Sequence, residues 1–193
     1  MNSMAPIKVT ELELPGVKLI EPKYFEDQRG YFCETYSAQA LAEYGIKTVF
    51  VQDNQSLSVV KGTIRGIHFQ NAPRCQTKLV RCTHGKIMDY VVDLRHDSPT
   101  FKKWICVELS EENHRQLYIP KGFGHAFITL VDNCILQYKV DDFYAPECDR
   151  SIAYNDPELG IDWGSGDLVF SEKDLKAPKL ADSDINLSMA LSE

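Results

Sequence analysis

At 193 residues, 44% hydrophobic and 25% charged, the chain suits one ordinary globular domain over residues 1–193 and excludes disordered and fibrous classes. A formal charge of −7 excludes general nucleic-acid binding, which needs a basic surface to displace counterions from phosphates. Residues 1–10 lack the charged-then-apolar layout of a secretory signal and no apolar run approaches the ~20 residues that span a bilayer, so a cytoplasmic protein with no membrane partner is expected.

Taken in chain order, the first clear element is a short peripheral helix over residues 37–44. Ser37 can cap its first turn, alanine and leucine favour it, and Gly45 can end it in a left-handed conformation. From Val49 onward, β-branched and aromatic runs recur at 50–51, 57–60, 78–82, 87–94, 104–109, 117–119, 126–131 and 134–140. Their spacing predicts an all-β sandwich or barrel, most naturally a jelly roll. The breaks His84-Gly85, Asp97-Ser98-Pro99, Glu112-Asn113 and Val131-Asp132-Asn133 read as hairpin or loop connections. Residues 171–178 form a Lys- and Asp-containing tail that either folds back or runs to a partner subunit.

Six cysteines, at 33, 75, 82, 106, 134 and 148, include no Cys-x-x-Cys pair, so free thiols are expected and neither a zinc knuckle nor a dithiol redox motif is indicated. Cys82, Cys106 and Cys134 sit in apolar surroundings that suit small hydrophobes.

Chemistry concentrates in Gly62-Thr63-Ile64-Arg65-Gly66-Ile67-His68-Phe69-Gln70. In a regular strand Arg65 and His68 face opposite sides, unless Gly66 permits a bulge that turns both to one side. Arg65, Arg74, Lys78 and Arg81 place four cations on a stretch free of Asp and Glu, which is either a local anion site or a solvated positive face. Farther on, Gly122-Phe123-Gly124-His125-Ala126-Phe127 sets a second histidine among small residues, either room for a ligand or a tight turn with a surface histidine. His68, Lys78, His125 and Tyr138 thus supply a base, a cation, a second imidazole and a weak acid, whose convergence the sequence leaves open.

Together, Asp27-Gln28-Arg29-Gly30-Tyr31-Phe32-Cys33-Glu34, Val51-Gln52-Asp53-Asn54, Arg65-Gly66-Ile67-His68-Phe69-Gln70, Lys78-Leu79-Val80-Arg81, Val92-Asp93-Leu94-Arg95 with Ser98-Pro99-Thr100-Phe101, and the stretch from Asp156-Pro157 to Trp163 carry a resemblance. In their shared order the chain resembles the dTDP-4-dehydrorhamnose 3,5-epimerases, nucleotide-sugar epimerases of the cupin superfamily. The resemblance implies a cupin-type jelly roll with a few short helices, a homodimer, and a dTDP-linked 4-keto-6-deoxyhexose as substrate. It implies no metal and no organic cofactor. By family position His68 is the base, Asp174 its paired carboxylate, Tyr138 the proton donor on the other face, and Lys78 the cation at the ketone oxygen. Arg29, Glu34, Gln52, Asn54 and Arg65 match positions that hold nucleotide and diphosphate. His125 matches a second pocket histidine, Asp149 and Lys173 match further substrate contacts, and the early strands with Tyr31 and Phe32 cross to a neighbouring subunit.

One departure concerns the sugar pocket: the family's Ala-His-Gly-Phe is here Gly124-His125-Ala126-Phe127, which is expected to move a methyl within the pocket wall and bear on whether carbons 3 and 5 are both inverted. Relatives on this scaffold invert carbon 3 alone or isomerise the ketone. A metal-dependent cupin oxygenase is a further alternative, but the first motif reads His68-Phe69-Gln70, with glutamine where a second ligating histidine would stand and Lys78 near enough to repel a metal. A sugar-binding module without catalysis is the third.

Overall fold

The computed structural model describes residues 7–192; residues 1–6 and 193, which the expected domain and the search for a leader include, lie outside the described residues. The strands are β1 (Ile7–Glu11), β2 (Lys18–Pro22), β3 (Tyr24–Asp27), β4 (Gly30–Cys33), β5 (Gln52–Ser58), β6 (Ile64–Gln70), β7 (Lys78–His84), β8 (Lys86–Asp93), β9 (Trp104–Ser110), β10 (Gln116–Ile119), β11 (Phe123–Thr129), β12 (Cys134–Val140) and β13 (Asp149–Ser151). Two short helices, α1 (Ala38–Ala42) and α2 (Glu172–Leu175), and two 3-10 turns complete the elements. One sheet runs β1-β2-β10-β7-β12-β5 and a second runs β13-β6-β11-β8-β9, with β3 and β4 forming a separate hairpin. All pairings within these sheets are antiparallel, and the two sheets close face to face as a cupin-type jelly roll.

Alternation along the strands decides what each side chain meets. Val80, Cys82, Leu117 and Leu136 of the six-stranded sheet pack against Ile87, Val91, Leu109, Phe123 and Phe127 of the five-stranded one. The outer face of the five-stranded sheet carries Ile64, Tyr90, Val92, Ala126 and Ile128, covered by Trp163, Leu180 and Leu187 from the C-terminal segment. That covering segment is pinned where Val169 bonds with the backbone of Gly62 and Ile64 (2.9 and 2.8 Å), and α2 follows directly. Residues 171–178 therefore fold back onto their own chain, one of the two courses expected for them.

Several elements differ from the sequence expectations. The runs at 50–51 and 57–60 belong to one neighbourhood: β5 spans Gln52–Ser58, and Val59 and Val60 lie outside it. Its polar centre hides the strand, because β5 is an edge strand with polar side chains on both faces. The helix expected over 37–44 is confined to Ala38–Ala42, with Ser37 Oγ accepting from the Ala40 amide (3.3 Å) and Gly45 left-handed at φ +79°. Of the four breaks, only the one at Asp97-Ser98-Pro99 joins neighbouring strands, β8 and β9; the others carry the chain between sheets. Cys106 is exposed on β9 instead of filling an apolar site, since its strand position faces outward at the sheet edge.

Candidate active site

His68 and Arg65 both face the space between the sheets because β6 is bulged. In the β6–β11 register His68 lies opposite His125 and Arg65 opposite Phe127, so Gly66 and Ile67 together oppose the single residue Ala126. Glycine is required at the bulge: Gly66 has φ +132°, and a Cβ there would stand 2.4 Å from the Ala126 Cβ.

A cavity of about 290 Å³ opens between the sheets, lined by Arg65, His68, Lys78, His125, Tyr138, Asp149 and Lys173 with Gln70 and Tyr144. A larger cavity of about 510 Å³ lies on the outer side of the six-stranded sheet, where Arg81, Gln137, Lys139 and Asp53 form polar ladders beside Glu34 and Gln116. Size does not locate the chemistry here, because the imidazoles and the buried ammonium are gathered in the smaller cavity.

His68 is 34% exposed, and its Nε2 lies 2.6 Å from Oδ1 of Asp174, which is 3% exposed. The other carboxylate oxygen of Asp174 accepts from Ser171 Oγ (2.9 Å), and Ser171 also caps α2. Burial opposes ionisation of Asp174, yet the hydrogen bond and charge of His68, with Ser171 and Lys173, outweigh it and hold the carboxyl below its ordinary pKa. With Nε2–H donated to the carboxylate, Nδ1 is the nitrogen left to take up a proton.

A second imidazole–carboxylate pair lies opposite. His125 Nε2 is 2.8 and 3.0 Å from the two oxygens of Asp89, and both residues are buried. Burial lowers the His125 pKa and raises that of Asp89, each partly offset by the other. Lys78 is 9% exposed; burial pushes its pKa down to about 8, with Asp89 and Asp149 opposing. Its ammonium lies 5.9 Å from the Tyr138 ring centroid. Burial raises the Tyr138 phenol, with Arg65 opposing and Asp149 reinforcing. Asp149 accepts from Lys173 (2.5 Å) and from the Tyr144 hydroxyl (3.2 Å) at the rim.

Arg65 donates to Ser58 Oγ (3.1 Å) and the Leu57 carbonyl (3.0 Å). Gln52 and Asn54 hydrogen-bond to each other (2.9 Å), with Asn54 opposite Tyr138 in the ladder, but neither is among the residues lining the cavity. Arg29 and Glu34 are not brought to it either: Arg29 forks onto Asp27 at the exposed tip of the β3–β4 hairpin, and Glu34 lines the outer cavity. The four expected cations also separate, since Arg74 is forked onto Asp142 (2.7 and 2.6 Å) and Arg81 lies on the outer face. Gln70 is committed to backbone groups of Arg74, Phe143 and Ala145, and Nε2 of each cavity histidine is committed to a carboxylate. Burial lifts the Cys75 and Cys82 thiols to about 11 and about 12, far from a nucleophile's range.

The exchanged small residues lie elsewhere than expected. Gly124 and Ala126 alternate with His125 on β11 and point to the outer core, where Ala126 packs with Ile64 and Tyr90. The displaced methyl is therefore not in the pocket wall. Asp89 and Tyr144 escaped the sequence reading. A lone aspartate inside the apolar run Ile87-Met88-Asp89-Tyr90-Val91-Val92 was the available signal for the first, since a buried charge needs a partner.

The fold and cavity together define a cupin-type sandwich with a site equipped for general acid–base chemistry. The family model of dTDP-4-dehydrorhamnose 3,5-epimerase matches residues 11–182. The enzyme of that name from Pseudomonas aeruginosa is 47% identical over 180 residues, 92% of this chain and 98% of that one. The one from Methanothermobacter thermautotrophicus is 44% identical, covering 95% and 100%. The solved structure of the Bacillus anthracis enzyme with TDP and PPi bound is 48% identical, with a TM-score of 0.88 over 90% of this chain and 99% of that one. At 34% identity and a TM-score of 0.83, covering 88% and 86%, the 3′-monoepimerase ChmJ from Streptomyces bikiniensis shares the scaffold. The chain belongs to the dTDP-4-dehydrorhamnose 3,5-epimerase family.

Proposed function

We propose that the protein is a cofactor-independent epimerase that converts dTDP-4-dehydro-6-deoxy-D-glucose to dTDP-4-dehydro-L-rhamnose in dTDP-rhamnose biosynthesis. The observation that carries this assignment is the His68–Asp174 pair at 2.6 Å, facing one cavity with Lys78 and Tyr138. A ketone at carbon 4 acidifies the hydrogens on carbons 3 and 5. His68 takes one of them, and Asp174 stabilises the imidazolium that forms. The electron pair moves into the enolate, whose oxygen is stabilised by the Lys78 ammonium in a desolvated site. Tyr138 returns a proton to the opposite face of the carbon, inverting it, and solvent restores both groups. Repeating the cycle at the second carbon inverts both centres. Protons are removed and replaced in equal number, and the chemistry draws on side chains alone. Arg65, Lys173 and Asp149 hold the diphosphate and sugar side of the substrate, and His125 hydrogen-bonds to the sugar.

Identities of 47–48% to 3,5-epimerases against 34% to a 3′-monoepimerase favour inversion at both carbons. The position of Ala126 outside the cavity removes one reason to expect inversion of carbon 3 alone. Proton NMR of the product formed from dTDP-4-dehydro-6-deoxyglucose tests this: two inverted centres support the assignment, one inverted centre makes the protein a 3-epimerase, and unchanged substrate refutes both and leaves a sugar-binding module.

We further infer a homodimer in which Arg29, Glu34, Gln52 and Asn54 complete the nucleotide site from a partner's hairpin and the neighbouring edge strand. Phe25, Tyr31 and Phe32 on the β3–β4 hairpin and Val49, Val51, Leu57, Val59 and Val60 along the unpaired edge of β5 are exposed, which supports a covered surface. A cytoplasmic location agrees with six cysteines held as free thiols. Among the described residues no helix is long and apolar enough to cross a membrane.

A further inference from the structure

The motif His68-Phe69-Gln70 supplies the proposed chemistry with its base, but Gln70 has no part in that chemistry. Alternation on β6 sets Gln70 on the same face as His68, where it lines the cavity at 5% exposure. A buried amide needs partners, and those of Gln70 are backbone groups of two loops. Its Nε2 donates to the carbonyls of Arg74 (2.5 Å) and Phe143 (3.3 Å), and its Oε1 accepts from the Ala145 amide (2.8 Å). Phe143 and Ala145 flank Tyr144, so one side chain grips the β12–β13 loop on both sides of that residue. The start of the loop is held separately, by the fork of Arg74 onto Asp142 and by the Thr77 amide, which donates to Asp141 (2.6 Å). Beyond Ala145 the constraint continues: the Ala145 carbonyl accepts from the Asp149 amide (3.0 Å), and Asp149 lies opposite Gln70 in the β13–β6 register. Tyr144 itself is 58% exposed and outside any strand, yet its hydroxyl reaches Asp149 (3.2 Å), which also accepts from Lys173.

We propose that Gln70 is a positioning residue: by gripping the backbone on either side of Tyr144 it fixes Tyr144 and Asp149 at the cavity mouth, and so sets the contacts the rim makes with the substrate. The effect reaches the substrate through Tyr144 and Asp149, not through Gln70. The position two residues after His68, where a metal-binding cupin would carry a ligand, here serves as a loop clamp. The substrate half of this assignment rests on the proposed role of Asp149 and Lys173 in holding the dTDP-sugar, but the clamp itself is measurable without turnover.

The experiment labels the full chain with fluorotyrosine and compares wild type with Gln70→Met by 19F NMR; methionine keeps the length of the side chain and removes all three hydrogen bonds. Tyr144→Phe and Tyr138→Phe identify those two signals by their disappearance. In Gln70→Met the Tyr144 signal is expected to shift or broaden, while that of Tyr138, on β12, stays in place. KM for dTDP-4-dehydro-6-deoxyglucose is expected to rise about tenfold, with kcat within about threefold of wild type. In a background carrying Tyr144→Phe and Asp149→Asn the same substitution is expected to change KM by less than about twofold, because the groups it acts through are gone. An unmoved Tyr144 signal overturns the proposal. So does movement of the Tyr138 signal as well, or an equal change of KM in both backgrounds, since a merely structural role gives those results. Should Gln70→Met not fold, wild type decides: the Ala145 amide, held by the Gln70 side chain at 2.8 Å, is expected to be protected from hydrogen exchange, and exchange at the rate of an open loop overturns the proposal. A Tyr144 signal that responds to Gln70→Met in a protein that does not epimerise the dTDP-sugar would leave the clamp standing and refute the assigned reaction.

Discussion

Replacing Asp174 by asparagine changes one atom type at a site where the geometry gives the consequence. The carboxylate is 3% exposed, accepts from His68 Nε2 at 2.6 Å and from Ser171 Oγ at 2.9 Å. Asparagine keeps the shape and the α2 cap, since Ser171 Oγ accepts from the backbone amide of residue 174 (3.1 Å). What it loses is the charge that, in the proposed mechanism, stabilises the imidazolium as His68 accepts a proton. A hydrogen bond to a charged group contributes about 1.5–3 kcal/mol, corresponding to roughly 10- to 150-fold in rate. If the new amide donates to Nε2, the His68 proton is driven onto Nδ1 and the basic lone pair is lost, which carries the loss toward ~10⁴-fold, as in hydrolase triads. Because the interaction strengthens as charge develops, kcat is expected to fall while KM stays near its wild-type value. Initial rates by NMR with the dTDP-sugar, alongside a thermal melt, measure both. A folded Asp174→Asn protein with kcat within about threefold of wild type would refute the coupling of the two residues.

Activity is expected to fall on the alkaline side: Lys78 is protonated below its pKa of about 8, so kcat drops about tenfold per unit above that pH. A kcat that is flat through about pH 10 contradicts the role of the ammonium. Gly124→Ala places a methyl 2.6 Å from Ile67 Cγ2 and 2.9 Å from Leu94 Cδ1, an overpacking of about 1–3 kcal/mol. It is expected to lower Tm by about 2–4 °C per kcal/mol with little change in kcat; an altered kcat at unchanged Tm would return residue 124 to the pocket. In the proposed homodimer, co-refolding Arg29→Ala with His68→Ala subunits is expected to recover about a quarter of wild-type activity, because half the dimers would be mixed and each would have one intact site. No recovery would place Arg29 in its own subunit's site or outside the chemistry.

What the sequence reveals follows from how local each signal is. The β8 run 87–94 is legible because nearly every residue in it is apolar, and its ends are marked by Gly85 and Asp97-Ser98-Pro99. The bulge that aligns Arg65 with His68 is legible as a condition, since only glycine at 66 permits it. By contrast, β5 hides behind Gln52-Asp53-Asn54-Gln55-Ser56, whose polarity suits a pocket and a sheet edge but not a core. The partnership of His68 with Asp174 spans 106 residues and depends on the C-terminal segment covering the five-stranded sheet, so only the family resemblance points to it. The exchange of Gly124 and Ala126 is not legible because Gly122 to His125 reads as a turn before the run at 126–131; only with β11 starting at Phe123 does alternation set both on the face opposite His125.

Two-sided proton transfer is tested most directly by incubating wild type, His68→Ala and Tyr138→Phe with dTDP-4-dehydro-6-deoxyglucose in deuterated water and following carbons 3 and 5 by NMR. Wild type is expected to take up deuterium at both carbons with inversion, and His68→Ala to take up none. Tyr138→Phe is expected to exchange hydrogen for deuterium with retention, since His68 returns to the face from which it took. Inversion that persists in Tyr138→Phe, or exchange that persists in His68→Ala, would contradict a base and an acid on opposite faces of the sugar.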